Sequence, residues 1–215
     1  MAITIVVYPP GGGGNHLTNM MMLYPGFGNS DHLNTTVYSE STRPPGTVHS
    51  VRGRNVQQVF MERVFAEPDK HWLLHGHFGE LATYREQLNS VPDKKYIIIS
   101  FDKSRDQQLL DNRQHRLGHG LHPYYMSEEQ PFLYRPEMYT SYFTGSSLEN
   151  IYSISLYDVW NPDLKQSNII TRINDFLGIS IDQEQAQKLH DTWWKLNFYF
   201  DFCNFTRSMY GQARI

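Results

Sequence analysis

The sequence predicts an α/β protein built on a mostly parallel sheet. Three apolar runs support that reading: ITIVVY at residues 3–8, YIIISF at 96–101 and IYSISL at 151–156. Runs that are apolar at nearly every position suit strands buried on both faces, as in parallel sheets covered by helices. Between them the apolar spacing changes to that of helices, and strands alternating with helices argue for parallel connections. The chain has 215 residues, enough for one sizeable core, and reads as a single domain over 1–215.

The elements follow in order. Residues 3–8 form the first strand and 15–23 a short helix. Tyr24 to about Arg54 is rich in Gly, Pro, Asn and Ser and reads as a long connection. Val56, Val59, Phe60 and Val64 lie at helical spacing, HWLLH at 71–75 is a short strand, and Leu81–Leu88 is a helix stopped by Pro92. After the strand at 96–101, the polar run 102–116 reads as a helix with Leu109 and Leu110 inside. The Tyr- and Pro-rich stretch 119–145 has room for one helix at about 129–142. Beyond the strand at 151–156, Asp163–Leu177 places Ile169, Ile170, Ile173, Phe176 and Leu177 on one face, with Gly178 as its stop. Asp182–Leu196 is a last helix, capped by Asp182 with Glu184 in its first turn.

Composition narrows the function. The net charge is -3, from 19 basic and 22 acidic side chains, which speaks against a general nucleic-acid or membrane-surface binder. No apolar run reaches the roughly 18 residues that a spanning helix needs. No basic leader or cleavage pattern opens the chain, so the expected location is cytoplasmic. The one cysteine, Cys203, excludes a disulfide within the chain and reads as a buried apolar residue.

The most informative stretch is VVYPPGGGGNHLTNMMML, residues 6–23. Glycine loses the most backbone freedom on folding, so four in a row, Gly11, Gly12, Gly13 and Gly14, call for a reason. In α/β sheets ligands sit at the carboxyl ends of strands, where a glycine loop entering a helix exposes N–H groups and the positive end of the helix dipole. That arrangement suits phosphate or sulfate, with Asn15 or Thr18 adding side-chain donors. A tight turn with no ligand is the competing reading. The loop matches neither GxxxxGK[ST] nor GxGxxG, which disfavours an ordinary Mg²⁺-dependent ATPase.

Histidines supply the second signal. His75 and His77 stand two apart at the end of a strand and face the same way. Histidine can take a hydroxyl proton near neutral pH, although a strand-end histidine can equally serve only the backbone. His115, His119 and His122 form another group, but flanking glycines argue against a helical zinc site, and no metal is expected. The tyrosines between 124 and 142 suit either stacking on a glycan or plain packing.

Three segments together resemble the sulfotransferase family: VVYPPGGGGNHLTNMM, the strand-turn-helix YIIISFDKSRDQQLLDNRQ, and IITRINDFLGISIDQEQAQKLHDTWWKLN. The resemblance implies a three-layer α/β/α fold of the P-loop nucleoside triphosphate hydrolase type. It implies 3′-phosphoadenosine 5′-phosphosulfate as co-substrate and a hydroxyl or amine acceptor, a small molecule or glycan. By the same resemblance Gly11, Gly12, Gly13, Gly14, Asn15 and His16 hold the phosphosulfate. Lys103 and Arg105 approach the 3′-phosphate, and His77, or else His75, is the general base. Two alternatives remain: a non-catalytic binding protein of the same fold, and another nucleotide-dependent transferase or kinase.

Overall fold

The computed structural model of the protein describes residues 2–9, 12–28, 64–100 and 135–194. Among them is a four-stranded sheet, all parallel, with order β2-β1-β3-β4. Its strands are β1 (Ala2–Val7), β2 (His71–Gly76), β3 (Asp93–Ser100) and β4 (Ile151–Ser155). The register aligns the strand ends, with Val7 beside Gly76 on one side and Ile98 on the other. Every strand anticipated from the apolar runs is present, because a segment without a polar face is comfortable only inside a sheet covered on both sides.

Alternation along β1 sorts the core into two clusters. Ile3, Ile5 and Val7 face one way, toward Trp72, Leu74, Tyr96 and Ile98. Helices α2 (Phe78–Thr83), α3 (Arg85–Asn89) and α4 (Pro136–Tyr142) supply Phe78, Leu81, Leu88 and Tyr139 to that side. Val6 and Tyr8 face the other way, with Leu73, Ile97, Ile99 and Ile154. There α1 (Gly14–Met21), α5 (Leu156–Trp160), α6 (Leu164–Ser167), α7 (Ile169–Leu177) and α8 (Gln183–Trp194) complete the core. Fully burying each aliphatic side chain of this kind contributes about 1.5–3 kcal/mol, so the two clusters are the main source of stability.

Two helices anticipated as continuous are broken. The segment expected over 163–177 divides at Asn168, which takes the left-handed conformation (φ 54°) and ends α6 while opening α7. Asparagine is one of the few side chains that adopts this conformation readily. The Arg172 guanidinium donates to the Ser167 carbonyl at 2.9 Å, covering an acceptor exposed by the break. The segment expected over 81–88 instead forms α2 and α3 on either side of Tyr84, whose backbone leaves helical geometry (φ -106°, ψ 22°). The last helix starts as expected, with the Gln185 N–H donating to Asp182 at 2.9 Å. The expected helices at 56–65 and 129–142 are described only from Val64 and Pro136 onward, and the one at 102–116 lies outside the described residues.

The strand order places the candidate site. The chain leaves β1 toward β2, crosses back over β1 to β3, and continues outward to β4. Connections therefore leave the adjacent strands β1 and β3 in opposite directions. The gap between their carboxyl ends is a switch point of the kind where α/β proteins bind ligands. The glycine loop follows β1 directly. Among the described residues no helix is long and apolar enough to cross a membrane.

Candidate functional site

Two of the loop glycines are required by their surroundings. Gly13 is the residue before α1 and sits at φ 81°, which strains any side chain with a Cβ. Gly14 lies on the Tyr8 ring so closely that a Cβ would fall inside it. The loop thus folds back over the end of its own strand, and Tyr8 is the surface it rests on.

The first turn of α1 offers donors. The N–H groups of a helix's first turn have no intrahelical acceptor, and no side chain caps this one. The neighbouring acceptors are engaged instead. Pro9 O accepts from Gly12 N–H at 2.7 Å, Gly13 O from Leu17 N–H at 2.9 Å, and Gly14 O from the Thr18 hydroxyl at 2.8 Å. Gly12 O accepts from the Trp160 indole N–H at 3.4 Å, and Asn15 Oδ1 accepts from the Tyr8 hydroxyl. Acceptors in use beside the open Gly14 and Asn15 N–H groups make this end of α1 electropositive. Asn19 Oδ1, buried one turn beyond Asn15, lacks a hydrogen-bond partner.

Tyr8 joins the loop to the histidines of β2. Its hydroxyl meets His75 Nδ1 at 2.8 Å, inside the core, and the rings lie near-parallel with centroids 5.9 Å apart. Its backbone carbonyl accepts from His77 Nδ1 at 2.8 Å, and the His77 ring stands edge-on to the phenol at 4.8 Å. A carbonyl can only accept, so His77 holds its proton on Nδ1 and carries its lone pair on Nε2 when neutral. His75 is buried and His77 half-buried. Both reach the same tyrosine, so the end of β2 and the end of β1 form one cluster.

A second histidine pair braces the helix. His16 Nε2 lies 2.8 Å from His190 Nδ1, and His190 Nε2 lies 2.7 Å from the Asn161 carbonyl. The carbonyl fixes the proton of His190 on Nε2, so in the neutral pair His16 donates through Nε2. The His16 ring also stacks flat on Trp193, with centroids 4.1 Å apart. Burial lowers the pKa of His190, partly opposed by the Asn161 carbonyl and the charge of Asp191. The Trp194 indole N–H donates to Trp160 O at 3.3 Å. Helix α8 therefore holds both α1 and the Trp160 side of the loop.

The structure brings Gly12, Gly13, Gly14, Asn15, His75 and His77 to one end of the sheet. His16 belongs to the same turn, but its imidazole faces α8 rather than the loop. Gly11, Lys103, Arg105, His115, His119, His122 and Cys203 lie outside the described residues. Among the described residues no group of three His, Cys, Asp or Glu side chains has metal-binding geometry. Sequence reasoning missed Tyr8, Trp160 and His190. The available signal was faint: Tyr8 is the one aromatic residue at the end of the first apolar run, directly before the loop. No protein-family model, curated protein or solved structure matches this chain.

Proposed function

We propose that the chain is a sulfuryl transferase that moves the sulfuryl group of 3′-phosphoadenosine 5′-phosphosulfate to a hydroxyl or amine acceptor. The observation that supports it is the end of α1 after β1, where the carbonyls of Pro9, Gly12, Gly13 and Gly14 are in use while the Gly14 and Asn15 N–H groups stay open. A phosphosulfate has only acceptor oxygens, so a donor-rich pocket at a helix N-terminus complements it. In this reading the sheet with its two apolar clusters is a three-layer sandwich of the P-loop type, and the loop takes the place of the usual lysine-bearing turn.

His77 is the general base of the proposal. Held through Nδ1, it has the tautomer needed to accept a proton on Nε2. The acceptor O–H bond breaks, its proton passes to Nε2, and the oxygen forms the new bond to sulfur. The bridging S–O bond of the donor breaks, and 3′-phosphoadenosine 5′-phosphate leaves with that electron pair. Charge is stabilised by the N–H groups of Gly14 and Asn15, as in phosphoryl transfer.

Calorimetry with 3′-phosphoadenosine 5′-phosphate tests the donor site. Saturable binding is expected, and no heat at millimolar ligand would remove the proposal. His77→Ala should bind that nucleotide unchanged and lose about a hundred- to ten-thousand-fold in transfer rate. One observation favours a second reading, a non-catalytic binding protein: the contact with Tyr8 demands glycine at position 14 whether or not a ligand is bound. Full transfer activity in His77→Ala would remove that histidine from the mechanism.

A further inference from the structure

We propose that Lys94, Tyr96 and Ser146 form a binding site for one monatomic anion, chloride in ordinary solution, at the amino end of the sheet. The place is the opposite end of the strands from the glycine loop, where Lys94 lies beside Ile3 near the start of β1. Lys94 and Tyr96 stand two apart on β3, so their side chains leave the same face, and both are buried, at 2% and 0% exposure. The Lys94 ammonium donates to Val91 O at 2.7 Å and to Thr144 O at 2.9 Å. Asn89 Oδ1 accepts from the Thr144 N–H at 2.9 Å, which fixes the turn after α4 against the ammonium. An ammonium has three donors and no acceptor. Here two of them go to neutral carbonyls. Burial lowers the Lys94 pKa, and no charged side chain among the described residues offsets it. A buried charge is ordinarily paired, since burial strips away its hydration.

Two hydroxyls join the ammonium. The Tyr96 hydroxyl and Ser146 Oγ are both buried without a hydrogen-bond partner. They are neighbours: burial pushes the Tyr96 pKa up to about 12, and the Ser146 hydroxyl beside it acts in the other direction. The phenol is therefore a protonated donor at neutral pH. Ser146 follows Gly145, whose φ of 76° turns the chain at Lys94. A Cβ on the exposed Gly145 would meet only the ammonium nitrogen, at 3.6 Å, so the approach from solvent is open. One N–H and two O–H groups thus surround a single unpaired positive charge. A water molecule accepts from two donors and brings no charge. A halide accepts from every direction and neutralises the ammonium.

Bromide can replace chloride and scatters anomalously. Crystals of the full chain soaked in sodium bromide should show one anomalous peak bounded by Lys94 Nζ, the Tyr96 hydroxyl and Ser146 Oγ. A water there without anomalous signal, or a direct Tyr96–Ser146 hydrogen bond and no peak, overturns the inference. Melting temperature is the second arm, read at matched ionic strength in sodium chloride and in sodium gluconate, whose anion is too large for the site. Native protein should melt higher in chloride, because a ligand of the folded state alone stabilises that state. Lys94→Met keeps the side-chain length without the charge and should abolish the difference. Ser146→Ala alters only the turn, so it reads the site even if Lys94→Met fails to fold. It should raise the chloride concentration at half effect by about ten-fold, the loss of one hydrogen bond to a charged partner. A peak in the crystal with equal melting in the two salts means an adventitious ion only and overturns the inference. A chloride effect of native size and midpoint in Ser146→Ala overturns it as well.

Discussion

Tyr8 and Gly14 compete for one volume, and the glycine yields. With the phenol pressed on Gly14, its hydroxyl on Asn15 and His75, and its carbonyl on His77, a single residue sets the positions of the loop and both histidines. Gly14→Ala should therefore move the ring or the loop, at a cost of about 1–3 kcal/mol for overpacking. Urea denaturation measures the loss, and nucleotide binding should fall with it. An unchanged midpoint would mean that the ring gives way freely and fixes nothing. At this scale the sequence was half legible. Glycines, Asn15 and the paired histidines stand out by type and position. The Tyr8–His75 and His16–His190 contacts join residues 67 and 174 apart, and no local pattern reports such a meeting.

At the scale of elements, α1 is held between the sheet and α8, and the hold depends on pH. His190 has a pKa lowered from its usual 6.5 by burial, so the unfolded chain binds the proton more readily than the folded one. The corresponding stability is fully present above that value and drains as pH falls through it toward the folded pKa. Protonation also places an N–H on His190 Nδ1, facing the donor of His16. Half-buried His71, lowered for the same first reason, adds a slope of the same sign. The melting temperature should drop on acidification from neutral pH, and His190→Gln should flatten that profile in part. A native profile that rises on acidification would contradict the arrangement. The strands were readable because continuous apolar runs have one stable environment. The divisions at Tyr84 and Asn168 were not, because each rests on the backbone state of one residue inside an otherwise helical pattern.

For the molecule as a whole, topology and site chemistry point to the same end of the sheet. A β2-β1-β3-β4 order opens a crevice between the carboxyl ends of β1 and β3, and the glycine loop, Tyr8 and His77 are gathered at the β1 side of it. The strand order could not be read from the sequence, since apolar runs name strands and not their neighbours. The central claim is that the loop after β1 cradles an oxyanion with its backbone. Backbone amide NMR during titration with 3′-phosphoadenosine 5′-phosphate tests it most directly. The account predicts saturable downfield shifts at the Gly14 and Asn15 amides, larger than those of residues in β3 and α7. Unmoved Gly14 and Asn15 amides at saturating nucleotide would contradict it.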